Sequence, residues 1–254
     1  MVEYTLREMM TIVAAREIKN GDIVFCGTGI SMLAAMAAKN INAPESIMLF
    51  ETGAIDGKLD EIPLAVADSR TMYLTSTNGG LLDAFMTMQN PITGAHVIGI
   101  LGAAQIDIYG NINTTVIGDY FKPNIRFPGS GGGCDVASVV KRCILFMQQE
   151  KKRFTKRLDY LTSPGYLKGG NTRREAGLRE GGPTVVITDM AVFRFDEISK
   201  EMYLSGYYSG ISTQKILENM EFSVDVTRAI EVTPPTAYEL EILREKCDPQ
   251  RLIL

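Results

Sequence analysis

The segment Ile23-Val24-Phe25-Cys26-Gly27-Thr28-Gly29-Ile30-Ser31 decides the fold class. Four consecutive apolar residues predict a short strand buried on both faces. The glycine turn after them opens an Ala- and Met-rich stretch, residues 31–39, with helical periodicity. Strand, glycine turn and helix begin a parallel α/β unit. Upstream, residues 6–19 place Met9, Met10, Ile12, Val13, Ala14 and Ile18 at helical spacing, and Asn20-Gly21-Asp22 ends that helix. Downstream, Ile47-Met48-Leu49-Phe50 predicts a second buried strand that empties into Glu51-Thr52-Gly53.

The pattern continues along the chain. An α/β stretch runs to about residue 90, and 97–101 predicts a further strand. Residues 102–133 are rich in glycine, asparagine and proline, and so long a loop in a compact domain serves function or an interface. A helix is expected from about Val136, with strands at 141–147 and 184–187. Residues 192–195 and 202–204 form an expected hairpin, and short helices are expected at 212–219 and 237–246. With no repeat or linker visible, the expectation is one α/β domain over residues 1–254.

Composition excludes several function classes. Of 254 residues, 45% are hydrophobic and 22% charged, which fits a globular chain rather than a disordered or fibrous one. No apolar run approaches the roughly 18 residues needed to cross a bilayer. The N-terminal residues are mixed and acidic where a signal peptide is basic and then apolar, so a cytoplasmic location is expected. A net charge of −4 argues against a general nucleic-acid binder. The four cysteines, Cys26, Cys134, Cys143 and Cys247, form no C-x-x-C pair and are expected to be reduced and mostly buried. His96 is the single histidine, which removes metal sites needing two imidazoles. Catalysis must then lean on carboxylates, backbone amides or a thiol.

Glu51 is the first candidate. In open parallel sheets, ligands bind outside the carboxyl ends of the strands. A carboxylate partly stripped of water there is a better nucleophile or base than one on a solvated helix. The structural alternative is a strand-end acid bonded to the amides of the Thr52-Gly53 turn. Gly27 and Gly29 can present bare amides to an anion at a helix N-terminus, or merely form a tight turn. They are no dinucleotide fingerprint, because Met32 stands where the third glycine belongs. In Phe127-Pro-Gly-Ser-Gly131-Gly132-Gly133-Cys134, glycines before a helical pattern allow close approach of amides to a ligand oxygen and can build an oxyanion hole. A flexible linker is the alternative, but such linkers rarely separate apolar segments of one domain. The basic cluster Lys151, Lys152, Arg153, Lys156 and Arg157 is expected to be a solvated helix face, with phosphate or acidic-partner binding as the other reading. His96 is expected in core or surface, and Cys134 lacks a nameable base.

Three motifs together carry a resemblance. Glu51-Thr-Gly-Ala-Ile-Asp56, Gly102-Ala103-Ala-Gln-Ile-Asp-Ile-Tyr-Gly-Asn-Ile-Asn113 with Ile117-Gly-Asp119, and Arg126-Phe-Pro-Gly-Ser-Gly-Gly-Gly133 resemble class I coenzyme A-transferases, most of all β subunits of the glutaconate type. The likeness extends through Gln149 to Phe154, Asp159 to Gly165 and Ile242 to Pro249.

The resemblance implies a Rossmann-like, open, mostly parallel sheet of the NagB/RpiA/CoA-transferase type and a homologous α subunit as partner. It implies no bound cofactor, with a coenzyme A thioester and a carboxylate as substrates. It places Glu51 at the position of the glutamate that attacks the thioester, forms a mixed anhydride and is then captured as a glutamyl-CoA thioester. Gly131, Gly132 and Gly133 match the glycine loop beside the active site. Gly27, Gly29, Gly102 and Ala103 join them as candidates for CoA binding or oxyanion stabilisation. Many class I enzymes carry Ser-Glu-Asn-Gly here where this chain has Phe50-Glu51-Thr52-Gly53, a departure that bears on acyl preference more than on the nucleophile. The expected function is transfer of CoA between short carboxylic acids such as glutaconate. The alternatives are an acyl-CoA hydrolase or decarboxylase on the same scaffold, or a non-catalytic binding subunit.

Overall fold

The computed structural model describes residues 3–254. They pack as two compact units, one made of the chain up to Ile100 together with Pro234–Leu254, the other of Leu101–Thr233.

The first unit opens with α1 (Leu6–Glu17), two residues shorter than its periodicity suggests because Ile18 turns to extended backbone. Thr5 Oγ1 accepts the Glu8 N–H at 3.2 Å and the Glu8 carboxylate accepts the Thr5 N–H at 2.7 Å, a reciprocal cap. Then follow β1 (Ile23–Cys26), α2 (Ile30–Ile41), β2 (Ile47–Phe50), β3 (Ala54–Ile55), β4 (Thr77–Asn78), α3 (Leu81–Gln89) and β5 (Val97–Gly102). The strand order is β5-β1-β2-β3-β4. β1 runs parallel to β2 on one side and to β5 on the other, and β3 and β4 add antiparallel.

From β1 the chain therefore lays successive strands to opposite sides. That reversal is a topological switch point, and it opens a crevice at the carboxyl ends of the strands. Val24, Cys26, Met48, Leu49, Phe50 and Ile98 are buried in the sheet, while Met9, Ile12, Leu33 and Ala37 are buried on the helices. Each large apolar side chain so buried stabilises by about 1.5 to 3 kcal/mol. The unit closes with helix Ala237–Glu241, capped by Thr236, and a π-helical turn Ile242–Cys247 that packs on α2. Two ion pairs tie this segment to α1: Arg16–Glu239 at 2.7 Å and Arg244–Glu8 at 2.6 Å.

The second unit begins inside the segment expected to be one long loop. It holds two small antiparallel hairpins instead, β6 (Gln105–Ile106) with β7 (Ile112–Asn113) and β8 (Val116–Gly118) with β9 (Pro123–Arg126). Strands this short are held by side chains. Asn113 Nδ2 donates to Gln105 Oε1 and to the Val116 carbonyl, each at 2.7 Å, and Gln105 Nε2 donates to Asp159 at 2.7 Å. Asn111 Oδ1 accepts the N–H groups of Gly165 and Leu167.

Next come α4 (Gly133–Val139), β10 (Arg142–Phe146), α5 (Thr172–Glu175), β11 (Pro183–Ile187), β12 (Ala191–Phe195), β13 (Met202–Tyr207), α6 (Thr213–Glu218) and β14 (Ile230–Glu231). α4 starts three residues ahead of the expected Val136. β10 and β11 are parallel, and β12 and β13 form the expected hairpin. The basic residues 151–153 lie in a turn rather than on a helix face, where Lys152 and Arg153 both reach Glu150. No helix among the described residues is long and apolar enough to cross a membrane.

Candidate active site

Cys26 and Phe50 are the last register pair of β1 and β2, so Gly27 and Glu51 leave the sheet side by side. Phe50-Glu51-Thr52-Gly53 is a tight turn closed by the Gly53 N–H on the Phe50 carbonyl at 2.9 Å. Gly53 has φ +93°, and a methyl carbon added there would lie 2.5 Å from the Gly79 carbonyl carbon and 2.7 Å from the Gly80 oxygen. Only glycine fits. The Gly79 N–H donates back to the Gly53 carbonyl at 2.8 Å, and the Gly80 N–H donates to Asp83 at 2.7 Å where α3 begins. The start of α3 thus clamps the turn that carries Glu51.

Glu51 is half-buried, and its carboxylate has no hydrogen-bond or ion-pair partner among the described residues. The Gly53 amide, one of the groups a structural strand-end acid would use, is committed to Phe50. The contrast with the buried acids of the same unit is informative. Burial opposes ionisation of Glu8, but the Arg244 guanidinium and the Thr5 N–H outweigh it, and the Glu8 carboxyl lies below its usual range. Burial likewise opposes ionisation of Glu239, and Arg16 with Thr236 overcomes it. Beside the unpartnered Glu51, the Thr52 hydroxyl oxygen is buried and also unbonded. Buried polar groups without partners are rare in folded chains, and here one adjoins an unpartnered, half-buried carboxylate at the ligand edge of a sheet.

The N-terminus of α2 faces the same edge. Gly29 caps it at φ +75° with no side-chain cap, and the first intrahelical bond is the Leu33 N–H to the Gly29 carbonyl at 3.1 Å. The amides of Ile30, Ser31 and Met32 therefore precede the intrahelical ladder, at the positive end of the helix dipole. A methyl carbon at Gly27 or Gly29 would meet nothing within 4 Å. The structure thus brings Gly27, Gly29 and Glu51 together.

The boundary between the units falls within β5, and in the second unit its last residue, Gly102, has its Cβ direction 3.9 Å from the Phe146 carbonyl oxygen. The Cβ direction of Gly133 lies 3.9 Å from the Leu101 side chain and 3.6 Å from Ser163 Oγ, which sets the glycine loop against the strand end that leads into Ala103. Gly131, at φ +50°, faces open space. The Gly133 N–H is already engaged by the Ser130 carbonyl at 2.9 Å, and the Cys134 N–H by Ser130 Oγ at 2.9 Å. The amides of Gly131 and Gly132 have no partner among the described residues. Of the three glycines expected to offer amides, two have them free.

The other candidates fall outside this chemistry. Burial pushes the Cys143 and Cys247 thiols up to about 12, and pushes Cys26 further still, so all three are inert packing. Cys134 is half-buried in α4, and His96 lies on the surface with its carbonyl accepting the Ile23 N–H.

One group was not visible in the sequence. Gln149, 2% exposed, follows the carboxyl end of β10, and its backbone N–H donates to Asp189 at 2.7 Å just beyond β11. Both amide atoms of its side chain and the hydroxyl of buried Tyr208 lack partners. Burial, with the Asp189 charge nearby, drives the Tyr208 hydroxyl far above its ordinary value and keeps it a neutral donor. Only the tertiary burial of Gln149 marks it out.

Comparison with known proteins shows the family. The family model described as Coenzyme A transferase matches residues 7–219. The chain is 38% identical to the β subunit of glutaconate CoA-transferase from Acidaminococcus fermentans, covering 97% of this chain and 93% of that protein. It is 35% identical to the β subunit of 3-oxoadipate CoA-transferase from Pseudomonas knackmussii, over 96% of this chain and 94% of that one. The crystal structure of glutaconate coenzyme A-transferase from Acidaminococcus fermentans superposes with a TM-score of 0.95 over 99% of this chain and 97% of that chain.

Proposed function

The chain belongs to the coenzyme A transferase family, and on that premise we propose that it is the β subunit of a two-subunit acyl-CoA:carboxylate CoA-transferase in which Glu51 is the covalent nucleophile. The observation that carries the reading is the unpartnered, half-buried Glu51 carboxylate at the carboxyl edge of β2, beside the switch point at β1.

In this reading a Glu51 carboxylate oxygen attacks the thioester carbonyl carbon. The tetrahedral oxyanion collapses with loss of CoA thiolate, leaving a mixed acyl-glutamyl anhydride. The thiolate attacks the glutamyl carbonyl of that anhydride, releasing the donor acid as carboxylate and leaving a glutamyl-CoA thioester. The acceptor carboxylate then runs the two steps in reverse. Carboxylate and thiolate exchange roles throughout and no proton is transferred, so the sequence asks for no general base. What it asks for is stabilisation of two oxyanions. The free amides at the start of α2, around Gly27 and Gly29 and in the same unit as Glu51, are the donor set for them. In the second unit, the free amides of Gly131 and Gly132 and the open backbone at Gly102, Ala103 and Gly133 are candidate contacts for coenzyme A.

Binding energy from the remote nucleotide of CoA, expressed at the reacting carbonyl, makes a weak nucleophile adequate. The similarity to a glutaconate CoA-transferase subunit supports a short dicarboxylate such as glutaconate as one substrate, and the relatives' description as one subunit of each enzyme supports a homologous α subunit. The test is co-purification with that subunit, followed by a panel of acceptor acids against mixed acyl-CoAs. Acceptor-dependent exchange supports transfer, whereas CoA release independent of acceptor, or evolved carbon dioxide, replaces it with hydrolysis or decarboxylation.

A further inference from the structure

The amino-terminal edge of β10 and β11 in the second unit carries a further feature. A cavity of about 410 Å3 opens there, lined by Lys141, Arg173, Arg174, Arg179 and Lys200, with Glu180 as the single acid in its wall. In an acidic chain such a concentration of cations is not a compositional accident of the surface. Lys141 and Arg174 are exposed, and neither has an ion-pair partner among the described residues. Lys200 holds its Nζ 5.3 Å from the Tyr166 ring and is kept at φ +62°, a backbone region that disfavours lysine.

Arg173 is the most telling of these cations. It is 4% exposed, and five carbonyl oxygens surround its guanidinium: Arg179 at Nε, Pro164 and Gly165 at Nη1, Ala137 and Ser138 at Nη2, at 2.7 to 3.3 Å. Every donor direction is filled, yet no carboxylate partner is present among the described residues. Buried charge is ordinarily neutralised by an opposite charge, and carbonyl dipoles orient a guanidinium without cancelling its net charge. Burial accordingly pulls the Arg173 pKa below its usual value. The adjoining cavity is where the missing negative charge belongs.

We propose that this cavity is a binding site for a phosphate-bearing small molecule, held by Lys141, Arg174 and Lys200 over the buried positive charge of Arg173. Guanidinium and ammonium groups converging on one concavity suit a multiply charged, tetrahedral anion. The reacting ligand of an open α/β sheet sits at the carboxyl edge of its strands, whereas this cavity lies at the amino edge of β10 and β11. The inference does not depend on the transferase reading.

Calorimetric titration of the assembled two-subunit enzyme with inorganic pyrophosphate tests it, in the wild type and in the Lys141→Ala/Arg174→Ala double variant. The wild type should bind one equivalent per β subunit, more weakly as salt rises. The double variant should bind about tenfold more weakly or worse, with an unchanged melting temperature. Repeating the titration with saturating CoA separates the two sources of such a group. Retained pyrophosphate binding identifies a separate ligand, and displacement identifies the diphosphate of CoA itself. Absence of saturable binding to the assembled enzyme, or equal binding by the double variant, overturns the proposal.

Discussion

Cys26 stands opposite Phe50 as the final pair of two parallel strands, and the next residue on each strand, Gly27 and Glu51, leaves the sheet at the same level. A residue without a side chain is thereby set beside a carboxylate without a partner. The arrangement leaves room on one strand for a ligand that the other strand can attack.

Glu51→Gln keeps the size of the side chain and removes the nucleophile. The variant should co-purify with its partner, melt within a few degrees of wild type, and lose CoA transfer by about a thousandfold or more. Steady-state rates and a thermal melt on the same preparation check both halves.

Gly53→Ala should fail for a reason unrelated to charge. The added methyl would sit 2.5 Å from the Gly79 carbonyl carbon at a φ of +93°. Backbone strain alone costs about 1 to 3 kcal/mol, and the clash adds to it. Tm should fall and transfer should drop with it, because the turn that aims Glu51 must move. Wild-type Tm or wild-type rate would contradict the clamp.

Ile30→Pro tests the donors at the start of α2. Proline is tolerated at a first helical position and removes an N–H that has no intrahelical partner there. The helix should persist, while kcat should fall about tenfold with little change in Tm. An unchanged kcat would remove these amides from the oxyanion role.

Acid stability should follow Glu8 and Glu239. Both carboxyls lie below their ordinary value of 4.5 in the folded chain, each against an arginine. The folded state then binds fewer protons than the unfolded state just below that value, so the stabilisation is full above pH 4.5 and is lost as pH falls through the lowered values. Arg244→Met should lower stability at neutral pH by about 2 to 4 kcal/mol and flatten the dependence of Tm on pH in the acid range.

Much of this architecture was legible in the sequence. Ile23–Cys26, Ile47–Phe50 and the helix between them follow from apolar runs and period, and Glu51 stood out because a charge at the end of a buried strand is costly. The segment 102–133 was harder. β6 and β7 are two residues long, too short to show alternation, and they exist because Gln105 and Asn113 bond each other, Gln105 reaches Asp159, and Asn111 accepts the backbone N–H groups of distant Gly165 and Leu167. The clamp of Gly53 by Gly79 and Gly80 is likewise a contact between segments that no local pattern announces. Nor could spacing show that Gly133 spends its amide on Ser130. The orphaned amide of Gln149 and the unneutralised charge of Arg173 depend wholly on burial, which a sequence discloses only through its fold.

Covalent turnover at Glu51 is tested most sharply by direct interrogation of that side chain. The assembled enzyme should be incubated with acyl-CoA, quenched mid-cycle, and treated with borohydride or hydroxylamine before peptide mass spectrometry. The peptide carrying Glu51 should be reduced or converted to the hydroxamate in an acyl-CoA-dependent manner. An unmodified Glu51 peptide while product accumulates, or a label found only on the partner subunit, would contradict it.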